Sequence, residues 1–346
     1  MERKLAIGLV YNLKKPPDDG IPIDAYAEFE SAETVDLIAN SLQSMGYHVR
    51  LIPFEGPSIL AELQSAPVDL VFNIAEGLSG GRNRESIIPA LLELLGKPYT
   101  GSDPTTLGVT LDKSLTKEVV AAQGIPVARG RSFFQPSAEE IDNLVSELKT
   151  FPLVVKPRWE GSSKGISTTS LVKNRAELSA EIERINQLYD QPALVEEFLP
   201  GREFSVGLIG NGSDLQVFPV LEVVYAEKPL TDFVYSYEVK SGNRETLVCP
   251  APIGDRLSDR LSRLAQQAFT VLGCRDWARV DFRLDGAGEP RFLEINPLPG
   301  LSKDSLYPLQ ARAAGVSYPE LLEKIVNSAL QRQNNKREAT GSGKLG

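Results

Sequence analysis

The sequence predicts an α/β chain in which a doubly wound N-terminal domain is followed by two α+β units. Three observations predict it. Strand and helix signals alternate from residue 4 to residue 102, the pattern of a parallel sheet covered by helices. A glycine- and serine-rich loop, EGSSKG, follows the strand FPLVVKP near the middle of the chain. The last third is mostly strands and ends in a hairpin, RVDFRLDGAGEPRFLEINPLPG, before two closing helices. At 346 residues the chain exceeds what one hydrophobic core serves. The expected boundaries are 1–102, 103–196 and 197–331, with a tail over 332–346.

In the first unit, KLAIGLVY and HVRLIP are strands and ESAETVDLIANSLQSMG is an amphipathic helix that stops at Gly46. VDLVFNI is a buried strand, and ESIIPALLELLG is a helix closed by Gly96. The second unit opens with the helix LDKSLTKEVVAAQG and continues through FPLVVKP, EGSSKG, a helix over 174–189 and the strand PALVEEFL. Antiparallel strands follow, then a helix over 255–272, the hairpin and the last two helices. From Arg332 the tail RQNNKREATGSGKLG lacks apolar side chains to offset its ordering entropy, which predicts disorder.

Composition narrows the function. A net charge of -9 gives no field that would draw in a phosphate backbone, so no nucleic-acid partner is expected. Cys249 and Cys274 sit in apolar surroundings and read as buried thiols of a reducing compartment. The opening MERKLAIGLVYNLKK has an apolar run too short for a membrane span and no cleavage site, so no membrane partner and a cytoplasmic location are expected. With His48 as its one histidine, the chain does not suit a histidine base or a histidine metal cluster.

Four polar groups converge on the hairpin. Side chains two apart on a strand share a face, which pairs Arg279 with Asp281 on one strand and Glu294 with Asn296 on the other. Oxygen ligands of this kind suit Mg2+ or Mn2+, and the same pattern also suits the solvated face of an edge hairpin. The sharp turn NPLPG just after Asn296 favours a site. In VVKPRWEGSSKGI a strand delivers Lys156 before a loop whose N–H groups and hydroxyls can cradle phosphate, although a flexible surface loop reads the same way. In LVEEFLPGREFSV, the backbone from Glu196 to Phe198 can read an adenine edge and Glu203 can accept from ribose hydroxyls; an exposed acidic strand end is the alternative.

In succession, DKSLTK, VVKP with EGSSKG, VEEFLPGREF and RVDFRLD with FLEINPLPG resemble the ATP-grasp superfamily and, within it, the D-alanine-D-alanine ligase family. The resemblance extends from KPYTGSDPTTLGVTLDK through YSYEVK and CPAP to LSKDSLYP. It implies two α+β subdomains that clasp ATP and an ATP-dependent carboxylate–amine ligase working through an acyl phosphate. Lys113 and Lys156 would contact phosphates, with Glu160, Ser162 and Ser163 in the covering loop and Glu196, Glu197, Phe198, Leu199 and Glu203 around the adenosine. Asp281, Glu294 and Asn296 would hold two Mg2+ ions or Mn2+, Arg279 would face the oxyanion with Ser162 and Lys240 nearby, and Gly300, Ser305 and Leu306 would line the acceptor pocket. Small amino acids or carboxylic acids are the expected partners, with a homodimer left open as the assembly.

The donor end departs from the family. Where relatives carry a histidine-glycine segment and an acidic glycine motif, this chain reads NIAEGLSGGRNRE, and Ser241 follows Lys240 where a tyrosine is usual. The family's glycine-rich start with its glutamate is missing, and Glu28 or Glu30 matches it loosely. Glu76, Arg84 and Glu85, with Arg82, are therefore expected to read the donor, Arg84 as a planar fork for a carboxylate. A ligase joining an amino acid to another carboxylic acid is the alternative, and a small-molecule kinase that stops at phosphoryl transfer is a further one.

Overall fold

The structure is a computed structural model, and it describes residues 4–16, 20–78, 80–225 and 245–341. The first unit is built from β1 (Ala6–Tyr11), α1 (Ala32–Ser44), β2 (His48–Pro53), α2 (Ile59–Ser65), β3 (Leu70–Ile74) and α3 (Ile87–Leu94). Its strands pair in parallel in the order β2-β1-β3. Helix α1 starts where the Ser31 side chain accepts the Thr34 N–H, and it buries Val35, Ile38, Ala39 and Leu42, a spacing that falls on one helical face. That face joins β1 and β3 in one core, while Ile59, Leu63, Ile88 and Leu92 of α2 and α3 form another with Val10, Ile52 and Val71. Helices on both faces make the sheet doubly wound.

Next come α4 (Pro104–Leu111), α5 (Lys113–Ala122), β4 (Gly130–Phe133), α6 (Ala138–Leu148), β5 (Leu153–Pro157), β6 (Leu171–Val172), α7 (Arg175–Tyr189) and β7 (Ala193–Glu197). The four strands form an antiparallel sheet, β4-β7-β5-β6. Ile141, Leu144 and Leu148 of α6 and Leu178, Ile182 and Ile185 of α7 pack on its buried Val155 and Val195. Helix α5 is capped by Asp112, whose side chain accepts the Leu115 N–H. It turns away from this core, and its Val120 packs into that of the next unit.

The last unit comprises β8 (Glu203–Ile209), β9 (Gln216–Val217), β10 (Leu221–Tyr225), β11 (Glu245–Val248), α8 (Asp255–Val271), β12 (Trp277–Leu284), β13 (Pro290–Asn296), α9 (Leu306–Ala313) and α10 (Tyr318–Gly341). The sheet runs β11-β10-β8-β12-β13, with β9 beside β8. Its Trp277, together with Tyr307 of α9 and Leu321, Leu322 and Ile325 of α10, belongs to the core that also holds α1 and β1. The N-terminal sheet and the closing helices thus share one interior.

The tail corrects an expectation. Instead of disorder from Arg332, α10 continues to Gly341. Arg332 reaches the fully buried Asp276 at 2.8 Å and the Tyr99 carbonyl at 2.8 Å. An unpaired buried carboxylate is costly, so a charged anchor holds the helix where apolar periodicity gives no signal. Cys274 is buried and Cys249 half-buried, both as free thiols. Burial pushes them up to about 12 and about 11. No helix among the described residues is long and apolar enough to cross a membrane.

Candidate active site

The hairpin is in register. Asp281 of β12 lies opposite Glu294 of β13, and Arg279 lies opposite Asn296. On the other side of β12, Asp281 pairs with Ser205 and Arg283 with Glu203 of β8. The ladder shifts by one residue between Asp281 and Phe282, a bulge that leaves Leu293 as the extra residue. Leu293, Glu294, Asn296, Asp281 and Arg279 all line one cavity of about 240 Å3. The opposite wall comes from β5 and β7, through Lys156, Glu196 and Glu197, from Phe198 and Leu199 just after β7, and from the glycine-serine loop, through Glu160, Ser162 and Ser163. Gly300, Ser305 and Leu306 close one end.

Two lysines of α5, one turn apart, bind different sheets. Lys113 Nζ lies 2.6 Å from Glu294 Oε2. Lys117 binds Glu196, which Lys156 Nζ also reaches at 2.7 Å. Burial raises the Glu196 carboxyl, but Lys117 and Lys156 overcome it and hold the group at about 2. Burial lowers Lys117 to about 8, with Glu196 opposing. Burial pulls Lys156 down, yet the same carboxylate raises it above its ordinary value. Glu294 is likewise pushed up by burial and brought down to about 2, chiefly by Lys113.

The donor set of the hairpin consists of oxygen atoms. Asp281 and Glu294 face each other across the ladder, and Asn296 is two residues from Glu294 on the same strand face. These residues fit a hard divalent cation. Without one, the two carboxylates are held by the protein's own cations. Arg279 Nε and Nη2 donate to Asp281 at 3.0 and 2.8 Å, and Ser205 Oγ donates to it at 2.7 Å.

At the end of β7, Glu197 is forked by Arg129 at 3.0 Å, and the Arg283 guanidinium lies over the Phe198 ring at 5.0 Å. Burial raises Glu203, with Arg283 opposing. The glycine-serine loop is tied down at both ends by residues upstream of α1. Glu28 accepts the Gly161 N–H at 2.6 Å, and Asp24 accepts the Gly165 N–H at 2.7 Å. Gly165 has φ +75, and a Cβ there would fall 2.2 Å from Pro157 Cγ, so only glycine suits the position. Ser162 and Ser163 are also left-handed, at φ 50 and 59. Within the loop Glu160 accepts from Gln191 at 2.8 Å and pairs with Lys164 at 3.0 Å.

The donor end differs from expectation. Arg84 is 4% exposed and faces the protein's own carboxylates, not the cavity. It donates to Glu28 and to the Trp159 carbonyl, both at 2.6 Å, and lies 3.5 Å from Glu160. The physical reason is a crowd of acids. Glu28, Glu76 and Glu85 converge closely enough to share one ion, and the buried guanidinium offsets part of their repulsion. Burial with Glu85 raises Glu76 well above its usual range, and burial raises Glu85 to about 7 despite Arg84. Glu28, Glu30 and Glu76 line the cavity. Arg82 stacks over Trp159 at 5.8 Å and pairs with Asp112 at 3.3 Å. Lys240 lies outside the described residues, as does its segment YSYEVK.

Sequence reasoning overlooked Lys117, Asp24 and Ser205. Lys117 carried a signal, since it stands four residues after Lys113 on a helix. Asp24 carried none.

Comparison with known proteins follows the same lines. A model of the D-ala D-ala ligase C-terminus matches residues 119–327. The uncharacterized protein y4sG of Sinorhizobium fredii is 36% identical over 304 residues, which cover 86% of this chain and 87% of that protein. A D-alanine–D-alanine ligase of Marinomonas sp. is 36% identical over 305 residues, 86% of this chain and 90% of its own. In three dimensions, D-alanine–D-alanine ligase from Bacillus anthracis complexed with ATP superposes with a TM-score of 0.75 at 22% identity, covering 96% of this chain and 99% of that one.

Proposed function

The chain belongs to the D-alanine–D-alanine ligase family, and on that premise we propose how its own residues join a carboxylate to an amine at the expense of ATP. It is an ATP-dependent ligase that uses a divalent metal. The observation that carries the residue assignment is the cross-strand pair Asp281 and Glu294, which shares one cavity with Lys113 and Lys156. A carboxylate is a poor acyl donor. Attack of its oxygen on the γ-phosphorus expels ADP and leaves an acyl phosphate; an amine then adds to the carbonyl, and phosphate departs.

Lys113 and Lys156 hold the phosphates, with Ser162 and Ser163 over them, while Glu196 to Leu199 and Glu203 hold the adenosine. Asp281, Glu294 and Asn296 hold the metal, which is read as two Mg2+ ions and, when bound, offsets the charge on the transferring phosphoryl group. Arg279 stabilises the oxyanion formed by amine addition. Gly300, Ser305 and Leu306 orient the acceptor, and Glu28, Glu30 and Glu76 receive the ammonium of the donor. D-alanine is the substrate this reading favours. ATP, Mg2+ and D-alanine should yield ADP, phosphate and a dipeptide by mass spectrometry. Phosphate transfer to one substrate without any need for an amine would make the protein a kinase instead.

A further inference from the structure

The carboxylates assigned to metal are already neutralised. Glu294 binds Lys113 at 2.6 Å, and Asp281 binds Arg279 through two nitrogens. Among these four groups two negative charges meet two positive ones, so each carboxylate has a cationic partner before any metal arrives. These cations are poorly hydrated, with the Lys113 side chain 9% exposed and that of Arg279 16% exposed. A bare divalent cation entering here would displace both, adding two charges and leaving an ammonium and a guanidinium close by in a medium that screens them weakly. A polyphosphate changes the balance, because it brings its own negative charge to take over the displaced groups.

We infer that Lys113 and Arg279 act as built-in counter-ions that hold Glu294 and Asp281 in place and keep divalent metal out until nucleotide arrives. The inference rests on the reading of Asp281 and Glu294 as metal ligands. Lys113 is in this sense a positioning residue for the metal site as well as a phosphate contact. Transfer of Lys113 to phosphate and release of Arg279 from Asp281 are then consequences of loading, which turns Arg279 toward the oxyanion only once metal and nucleotide are both present.

The test measures Mn2+ binding to the full chain by electron paramagnetic resonance of the unbound ion, with and without a non-hydrolysable ATP analogue. Wild type should bind Mn2+ roughly ten- to a hundredfold more weakly without the analogue. Lys113→Met should bind Mn2+ alone about tenfold more tightly than wild type, whereas Lys113→Arg, which keeps the cation, should not. Equal Mn2+ affinity of wild type with and without the analogue overturns the inference and leaves the metal assignment standing; this comparison needs no variant to fold. A folded Lys113→Met with no gain also overturns it. Absence of Mn2+ binding even with the analogue removes the metal assignment itself, and the inference with it.

Discussion

Changing Glu196 to glutamine removes the negative charge between Lys117 and Lys156, both of which are largely out of water. Lys117 sits at about 8 rather than its ordinary 10.5. At about 1.4 kcal/mol per pH unit, this lysine already costs the fold about 3 kcal/mol at neutral pH. Its cost has a ceiling. Releasing the proton at pH 7 costs about 5 kcal/mol on the same scale, so the variant loses at most about 2 kcal/mol more through Lys117. Lys156 loses the same partner, which brings the total to about 3 kcal/mol, the range for breaking a buried pair. For a chain of this size that is a fall of about 4 °C in the thermal midpoint. The sign of the pH dependence follows from proton counting. With Glu196 gone, Lys117 titrates near or below pH 7 in the folded state, so the unfolded state holds more protons from there up to 10.5 and stability rises with pH. In wild type that rise starts only above about 8. Wild-type Lys117 already sheds part of its proton over the same span, so the gap between the two proteins should close by about 1 kcal/mol between pH 7 and pH 8, as read from circular-dichroism melts. A gap that is constant with pH, or a loss under about 1 kcal/mol, would refute the charged triad.

Three further outcomes are expected. Asp281→Ala abolishes product formation and also lowers stability by about 2 kcal/mol, because Arg279 loses its bidentate carboxylate; an unchanged melt would show that the pair adds nothing to the fold. Glu85→Gln raises stability at pH 8 by about 1 to 3 kcal/mol and does little at pH 5, since the folded state holds a proton on Glu85 up to about 7 and wild-type stability falls as pH climbs through 4.5 to 7; identical melts at pH 8 would count against this. Arg84→Ala raises KM for ATP and for the donor together, because Glu28 loses its partner and the Gly161 end of the loop loosens; a rise confined to the donor would place Arg84 against substrate.

The elements were legible wherever period and caps agreed. The apolar spacing of α1, the alternation of the hairpin and the turn DGAGEP predicted both their type and their pairing, and Asp281 does lie opposite Glu294. Helix α6 escaped notice although Ser137 and Glu140 form a capping box, and so did α4 with its Asp103 cap. The cavity was legible in part. Motif residues fall on strands and loops whose local geometry positions them, whereas Asp24 and Glu28 reach Gly165 and Gly161 only through the packing of the first unit on the second. Such partners are separated by more than a hundred residues and leave no local pattern. The same reason undid the reading of Arg84, whose fork fits a substrate carboxylate as well as it fits Glu28. The sequence reading of the hairpin acids as metal ligands left out Lys113, which reaches Glu294 from a distant helix.

Helix α5 works as a ruler laid across a seam. Its Val120 is fastened in the core of the last unit, so Lys113 and Glu294 belong to the same body, while Lys117 crosses to Glu196 on the neighbouring sheet. The i, i+4 spacing sets the distance between the Glu294 end and the Glu196 end of the cavity to about one helical turn. A single inserted residue between the lysines would swing one of them about 100° around the axis relative to the other, so that both could no longer reach their carboxylates together.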